Sequence, residues 1–117
     1  MADEGDGASR LEQFRQIVDM DPDDYFSRFG YASALFDAGR YPEAIREFRA
    51  AIRLKPDYSA AFRDLGKALE RTGAHAEAMQ VYHEGIPIAE RNGDLQTVKE
   101  MQVFLTRLEQ RQGRQPS

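Results

Sequence analysis

The sequence predicts an all-α fold in which about six helices form antiparallel pairs, and two observations lead to this prediction. The first is an internal repeat of 34 residues, which places Ala44 on Ala78 and Phe48 on Tyr82. The second is that apolar residues recur at helical spacing between regularly placed prolines and glycines, with no plausible strand. A fixed period in this range is typical of stacked arrays, in which no single unit buries its own apolar face. Such arrays usually hold partners, so the period also favours a binding function.

Composition and charge narrow the class of function. The chain has 117 residues, a formal net charge of -4 and no cysteine. Disulfides and thiolate zinc sites are therefore excluded, and the acidic balance lacks the basic excess expected of a nucleic-acid binder. The N-terminus has no secretory signal, and no run approaches the roughly 20 apolar residues that span a bilayer. We expect a cytoplasmic protein with neither a nucleic-acid nor a membrane partner.

The N-terminal segment predicts a disordered head followed by one helix. Residues 1–8 are acidic, rich in glycine and too polar to pack, so we expect them to be disordered. Ser9 can cap the helix, and Asp21 ends it because a residue before proline disfavours the helical conformation. The apolar residues of this helix are Leu11, Phe14, Ile17, Val18 and Met20.

The next two helices form the first complete pair. Asp23 or Asp24 caps the second helix, and Gly39 supplies its left-handed end. Pro42 fits the first turn of the third helix, and Pro56 follows its end. The apolar faces are Phe29, Tyr31, Ala32, Leu35 and Phe36 on the second helix, and Ala44, Ile45, Phe48, Ala51, Ile52 and Leu54 on the third.

The same order of elements returns in the second half of the chain. A fourth helix runs from about Ser59 to Thr72 and ends at Gly73. A fifth begins near His75, and Asp94 caps a sixth. Pro87 falls inside the fifth helix and predicts a kink, which we interpret as a tolerated bend. The inward residues are Phe62, Leu65, Ala68 and Leu69, then Ala78, Met79, Val81, Tyr82, Ile86 and Ile88, then Leu95, Val98, Met101, Leu105 and Leu108.

These repeats resemble the tetratricopeptide repeat, a helix-turn-helix unit of 34 residues. The matching residues of the first unit are Tyr31, Ala32, Leu35, Ala44, Phe48, Ala51 and Pro56. Those of the second unit are Phe62, Leu65, Gly66, Leu69, Ala78, Tyr82 and Gly85. The resemblance implies a right-handed superhelical array, in which small residues let paired helices approach and large residues interdigitate between them.

The resemblance also implies the organisation of a small bacterial protein of this family, with a single domain at 9–111. Its parts are a half repeat at 9–22, full repeats at 25–58 and 59–92, and a capping helix at 94–111. Residues 112–117 are expected to form a flexible tail. Arg28 departs from the family pattern, which has a large apolar residue at that place.

In this family the first helix of each unit lines a concave groove, and the resemblance carries that role onto two sets of residues. The first set is Phe26, Phe29, Ser33, Phe36 and Asp37, and the second is Ala60, Arg63, Lys67, Glu70 and Arg71. Arg63, Lys67 and Arg71 are four residues apart, so they stack on one helical face. An aromatic strip beside a basic strip suits a protein or peptide segment with an apolar anchor and an acidic group or free C-terminal carboxylate.

Each strip also has a simpler interpretation. The basic strip can be a solvated helix face neutralised by Asp64 and Glu70, and the three phenylalanines can belong to the core. The carboxylate clamp that some family members use for chaperones does not fit this chain. Phe29 and Ser33 occupy its first lysine and asparagine places, and Asp64 would repel a carboxylate.

The sequence carries no motif that indicates catalysis or a cofactor. His75 and His83 are the only histidines, and eight residues of helix separate them by about 12 Å, too far to share a metal. The glycines fall at helix ends, tight crossings or tails, unlike those of a phosphate-binding loop. We therefore expect no enzyme activity, no metal and no cofactor.

The predicted function is that of a protein-interaction module, present as a monomer or a weak homo-oligomer. One alternative is a homo-oligomeric assembly protein that pairs its repeat faces or its open N-terminal edge. Another is an accessory domain of an enzyme.

Overall fold

The protein forms six helices and no strand within residues 2–114, which a computed structural model describes, with side chains for residues 9–113. The helices are α1 (Ala2–Met20), α2 (Tyr25–Asp37), α3 (Tyr41–Leu54), α4 (Ser59–Arg71), α5 (His75–Arg91) and α6 (Leu95–Arg114). They group into two compact units, α1 to α3 up to Pro56 and α4 to α6 from Asp57. The predicted all-α fold of about six helices is confirmed.

Short turns with shared geometry end α2, α4 and α5. Gly39, Gly73 and Gly93 each have a positive φ, between 71° and 82°, which side chains with a Cβ rarely adopt. The amide of the residue after each glycine donates to the carbonyl five residues earlier, at 2.9 Å in all three turns. This pairing satisfies carbonyls that the helix end would leave without partners. The predicted helix ends at Gly39 and Gly73 are therefore confirmed.

The two ends of the chain are more helical than the sequence predicted. Helix α1 begins at Ala2, so the predicted disorder of residues 1–8 and the predicted start at Ser9 are corrected for residues 2–8; Met1 lies outside the described residues. Extending an existing helix by one residue costs less free energy than nucleating a new one. The acidic residues near the N-terminus of α1 also interact favourably with the helix dipole. Helix α6 likewise extends to Arg114, which corrects the predicted tail for residues 112–114, and residues 115–117 lie outside the description.

In the first unit, α2 packs against both α3 and α1. Small residues accompany this packing: Ala32 of α2 and Ala44 and Ala51 of α3 are completely buried, and so, almost completely, is Phe48 of α3. Arg28, the departure from the repeat pattern, lies half-buried on α2, where its Nη1 donates to Glu47 Oε1 at 3.0 Å and its Nε to the Pro22 carbonyl at 3.0 Å. An ion pair with α3 thus replaces the apolar contact expected at this place.

In the second unit, two glycines allow neighbouring helices to approach closely. A Cβ at Gly66 of α4 would lie 2.1 Å from the ring of Tyr82, which is completely buried on α5. A Cβ at Gly85 would lie 2.6 Å from Phe62 Cβ and 2.8 Å from Met101 Sδ. The predicted role of Gly66, to let the paired helix approach, is confirmed. Helix α5 runs without a break through Pro87.

Four residues that the sequence placed on apolar faces lie exposed instead, and one of them, Leu54, ends α3 and is 38% exposed. Ile17 and Met20 of α1 are 48% and 85% exposed, because within its unit α1 packs on α2 alone. Leu95 of α6 is 64% exposed, while Thr97 takes the buried place in the first turn, where its amide donates to Asp94 Oδ1. The other predicted inward residues of α6 are buried: Val98, Met101, Leu105 and Leu108.

Candidate partner-binding surfaces

The first turn of α2 holds the most exposed residue of the predicted aromatic strip. Asp24 caps this helix as predicted, since its Oδ1 accepts from the Phe26 amide at 3.1 Å and its Oδ2 accepts from Ser27 Oγ at 2.7 Å. The cap fixes the backbone at Phe26, whose side chain is nonetheless 65% exposed. A large apolar group is therefore presented to solvent on a rigid helix start.

The other two phenylalanines of the strip are half-buried within the first unit. The Phe29 ring lies 5.7 Å from the ring of buried Phe48, and the Phe36 ring meets Tyr41 edge-on at 5.2 Å. Ser33, between them on α2, is also half-buried. Each of these phenylalanines thus supports the packing of α2 on α3 while keeping part of its surface accessible. For Phe29 and Phe36, part of each ring belongs to the core, and the remaining part stays available as a contact surface.

Arg63 on α4 is held by two carboxylates of its own unit. Its Nε donates to Asp64 Oδ1 at 2.8 Å, and its Nη1 donates to Glu100 Oε1 on α6 at 3.0 Å. The Arg63 side chain is only 24% exposed. The hydrogen bonds to Asp64, and then the one to Glu100, raise the pKa of the guanidinium above its ordinary value. Arg63 therefore stays charged, and its charge is balanced internally.

The remaining members of the predicted basic strip differ in their exposure. Lys67 is half-buried and Arg71 is exposed near the end of α4. Glu70, which the sequence offered as a neutralising neighbour, accepts a hydrogen bond from the buried Tyr82 hydroxyl at 2.6 Å. Of the two neutralising carboxylates that the simpler interpretation proposed, Asp64 pairs with Arg63 and Glu70 is engaged with α5.

Glu100 is the functional candidate that sequence reasoning missed. It lies 37 residues after Arg63, so no helical spacing connects the two. The repeat period gave one indication of this pairing. A shift of 34 residues places the start of α4 close to the start of α6, so the two helix starts are nearly equivalent in the repeat. The same relation appears in the hydrogen bond from Ser59 Oγ to Asp94 Oδ2 at 3.0 Å.

Within the described residues, neither a metal-binding cluster nor a membrane-spanning helix is present. No group of three or more histidine, aspartate or glutamate side chains is arranged to hold a metal ion there. None of the helices described combines the length and apolar character that crossing a bilayer requires.

The sequence profile of the tetratricopeptide repeat matches residues 5–59 and 29–94, which together cover most of the chain. The chain belongs to the tetratricopeptide repeat family. The predicted family is thus confirmed, and its small-residue positions agree with the glycine and alanine crossings described above.

Known proteins resemble the chain over most of its length. The TPR repeat-containing protein PA0015 of Pseudomonas aeruginosa is 33% identical over 99 residues, which cover 85% of this chain and 94% of that protein. The solution structure of protein BPP2914 from Bordetella parapertussis has a TM-score of 0.76 at 34% identity and covers 86% of this chain and 88% of its own. The TPR2B domain of yeast Sti1, solved in a pHsp70 complex, has a TM-score of 0.84 at 18% identity, over 92% of this chain and 86% of that one. This last likeness is one of fold.

Proposed function

We propose that this tetratricopeptide repeat protein is an interaction module that binds a segment of a partner protein on the first helices of its repeats. Support for a protein partner comes from the family and from the Sti1 domain, whose structure contains pHsp70. The observation that carries the proposal for this chain is the exposure of Phe26, which is 65% accessible at a place that faces ligands in the family.

Phe26 has the properties of an anchoring contact. Covering an exposed aromatic side chain of this size contributes about 1.5–3 kcal/mol, because apolar surface leaves water. Aromatic residues are also frequent among the few side chains that dominate binding energy. Phe29 and Phe36, already held by Phe48 and Tyr41, would extend the apolar contact on α2 with little loss of side-chain freedom.

The second surface lies on α4 and carries the basic residues. Lys67 is half-buried and Arg71 is exposed, and both would act as charge partners for an acidic side chain or a terminal carboxylate. Each surface lies on a helix whose backbone is already ordered, so the module loses little freedom when a segment docks. The proposed ligand is therefore an extended or helical segment with one apolar anchor and an acidic group.

A peptide-display selection against the purified chain tests this proposal, followed by affinity measurement on the selected segments. Phe26→Ala is the test variant, and Leu95→Ala on α6 is its matched control, because Leu95 is 64% exposed and is absent from the proposed surfaces. We expect Phe26→Ala to weaken binding by at least about tenfold, which corresponds to about 1.4 kcal/mol. Leu95→Ala should leave the affinity unchanged.

Segments that bind both variants as tightly as the native chain would show that α2 is not the contact. Enrichment of segments with no apolar residue would also contradict the anchoring role of Phe26.

Self-association is a second candidate function, favoured by the exposed apolar residues of α1. Ile17 and Met20 are 48% and 85% exposed on a helix that within its unit contacts only α2. Two copies could cover these residues by pairing their α1 helices about a twofold axis. Light scattering over a range of concentrations distinguishes the candidates: a dimer lost in Met20→Lys supports pairing through α1, and a monomer at all concentrations removes it.

A further inference from the structure

The contacts of Arg63 are unequal. Asp64 accepts two hydrogen bonds from the guanidinium, to Oδ1 at 2.8 Å and to Oδ2 at 3.4 Å, while Glu100 accepts one, at 3.0 Å. Asp64 is also the next residue on the same helix, and its side chain is only 17% exposed. Glu100 comes from α6 and is 36% exposed. The Glu100 carboxylate is therefore the weaker and more accessible partner.

The position of Glu100 resembles that of a ligand carboxylate. Its oxygen approaches the Nη1 side of a guanidinium, an arrangement that a carboxylate from another chain would also adopt. Arg63 belongs to the basic strip of α4, whose Lys67 and Arg71 follow at spacings of four residues. A carboxylate that reaches this strip thus finds the innermost cation already occupied by a residue of the protein itself.

We propose that Glu100 is an internal competitor that must leave Arg63 before the basic strip can accept an acidic ligand group there. This inference rests on the proposed function, and it makes Glu100 a determinant of which segments bind. A segment with a single weakly placed carboxylate does not displace Glu100. A segment that offers a two-point carboxylate, or that is already anchored elsewhere, does so.

A simpler role for Glu100 makes a different prediction. If the ion pair only ties α6 to α4, neutralising Glu100 lowers the stability of the fold and leaves ligand affinity unchanged. If Glu100 competes for Arg63, neutralising it raises the affinity for carboxylate-bearing ligands. The sign of the change in affinity separates the two roles.

The test uses the full chain and a fluorescent acidic heptapeptide with one leucine, several glutamates and a free C-terminal carboxylate. Glu100→Gln is the test variant, and Glu109→Gln is the matched control, because Glu109 also lies on α6 but approaches His83 at 3.6 Å and not Arg63. Both variants change the net charge equally, so general attraction of the peptide cancels. Anisotropy is measured at fixed ionic strength, and circular dichroism reports folding.

We expect Glu100→Gln to bind the acidic peptide about three- to tenfold more tightly than Glu109→Gln, in proportion to the modest free energy of a partly exposed ion pair. Adding Arg63→Gln should abolish this gain, which a double-mutant cycle detects. An uncharged version of the peptide, with glutamines and a C-terminal amide, should not distinguish the variants. Glu100→Ala, which cannot accept a hydrogen bond from Arg63, should show the same gain.

Equal affinities of the Glu100→Gln and Glu109→Gln variants overturn the inference, and this includes the case in which neither binds. A loss of stability in Glu100→Gln with no gain in affinity assigns the ion pair a purely structural role and also overturns it. Neither result touches the proposed function, whose test is the dependence of selected segments on Phe26.

Discussion

Helices α1 and α5 occupy the same place in the repeat, 68 residues apart, yet their environments differ. Helix α5 packs against α4 and α6, whereas within its unit α1 packs on α2 alone. Accordingly, Tyr82 is completely buried, and its counterpart Phe14 is half-buried. A side chain at this repeat position therefore contributes more or less to the stability of the fold, depending on how many helices cover it.

The side chains at these equivalent places follow the difference in packing. Ala78 and Gly85 let other helices approach α5, and their counterparts on α1 are Arg10 and Ile17. The Arg10 guanidinium lies 5.7 Å from the centre of the Phe14 ring, so its long side chain covers a ring that no further helix covers. Large residues stand where a neighbouring helix is missing, and small residues stand where one is present.

The largest expected difference comes from removing the two equivalent rings. Tyr82→Ala should lower the free energy of unfolding by about 3–5 kcal/mol, because it leaves a cavity in a fully packed site. Phe14→Ala should cost only about 1–2 kcal/mol, since solvent already reaches that ring. Urea unfolding at matched protein concentration measures both values, and equal losses would contradict the comparison.

A methyl group added opposite each ring sharpens the same comparison. Gly66→Ala places a Cβ 2.1 Å from the Tyr82 ring, while Gly30→Ala places one 3.0 Å from Cε1 of Phe14. We expect Gly66→Ala to cost about 1–3 kcal/mol by overpacking. Gly30→Ala should be near neutral, because a small ring shift is offset by a gain in helix propensity of up to about 1 kcal/mol. Thermal unfolding measures both variants, and a larger loss of stability in Gly30→Ala than in Gly66→Ala would contradict the comparison.

The hydroxyl of Tyr82 makes a smaller contribution than its ring. Burial, followed by the hydrogen bond to Glu70, raises the pKa of Tyr82, so the hydroxyl stays protonated and donates to Glu70 at 2.6 Å. Tyr82→Phe keeps the ring, as at Phe14, and should cost about 1–2 kcal/mol through the lost hydrogen bond to a carboxylate. If denaturant unfolding gave the same free energy of unfolding for Tyr82→Phe and the native chain, solvent would be replacing this hydrogen bond.

The smallest expected effect concerns Asp94, which links the two helices that enclose α5. Hydrogen bonds from Thr97, and then from Ser59, lower the pKa of Asp94. Its stabilisation is therefore complete above the unfolded pKa, about 3.9, and is lost as the pH falls through the lower folded value. Asp94→Asn keeps a capping side chain, so the native chain should be more stable than this variant by about 0.5 kcal/mol at pH 6 and by less at pH 2.5. Urea unfolding midpoints at the two pH values measure this difference in stability. A difference that is the same at both pH values would show that the charge of Asp94 does not contribute.

The sequence allowed prediction of features that depend on nearby residues. The cap at Asp24, the turns at Gly39 and Gly73, and the contact of Gly66 with the paired helix follow from local conformational preference and from the repeat. The family itself followed from the same residues. The cap and the turns need only neighbouring residues, and the contact of Gly66 follows from the repeat pattern, which is why a single sequence was sufficient.

Features set by tertiary contacts could not be predicted in the same way. Glu100 forms an ion pair with Arg63, which lies 37 residues earlier in the chain. Leu95 was expected to be buried, but it is exposed and Thr97 is buried instead. Of the three phenylalanines on α2, only Phe26 is mostly exposed, because Phe48 and Tyr41 partly cover the other two. The roles of Phe26, Lys67 and Arg71 in binding stay predictions.

The most direct measurement of the central claim is a map of amide chemical-shift changes when a display-selected segment is added to the isotopically labelled chain. The proposed function predicts the largest changes around Phe26, Phe29 and Ser33 on α2, with further changes near Lys67 on α4. Changes confined to α1 or α6 at saturating ligand would contradict the claim that the first helices of the repeats hold the partner.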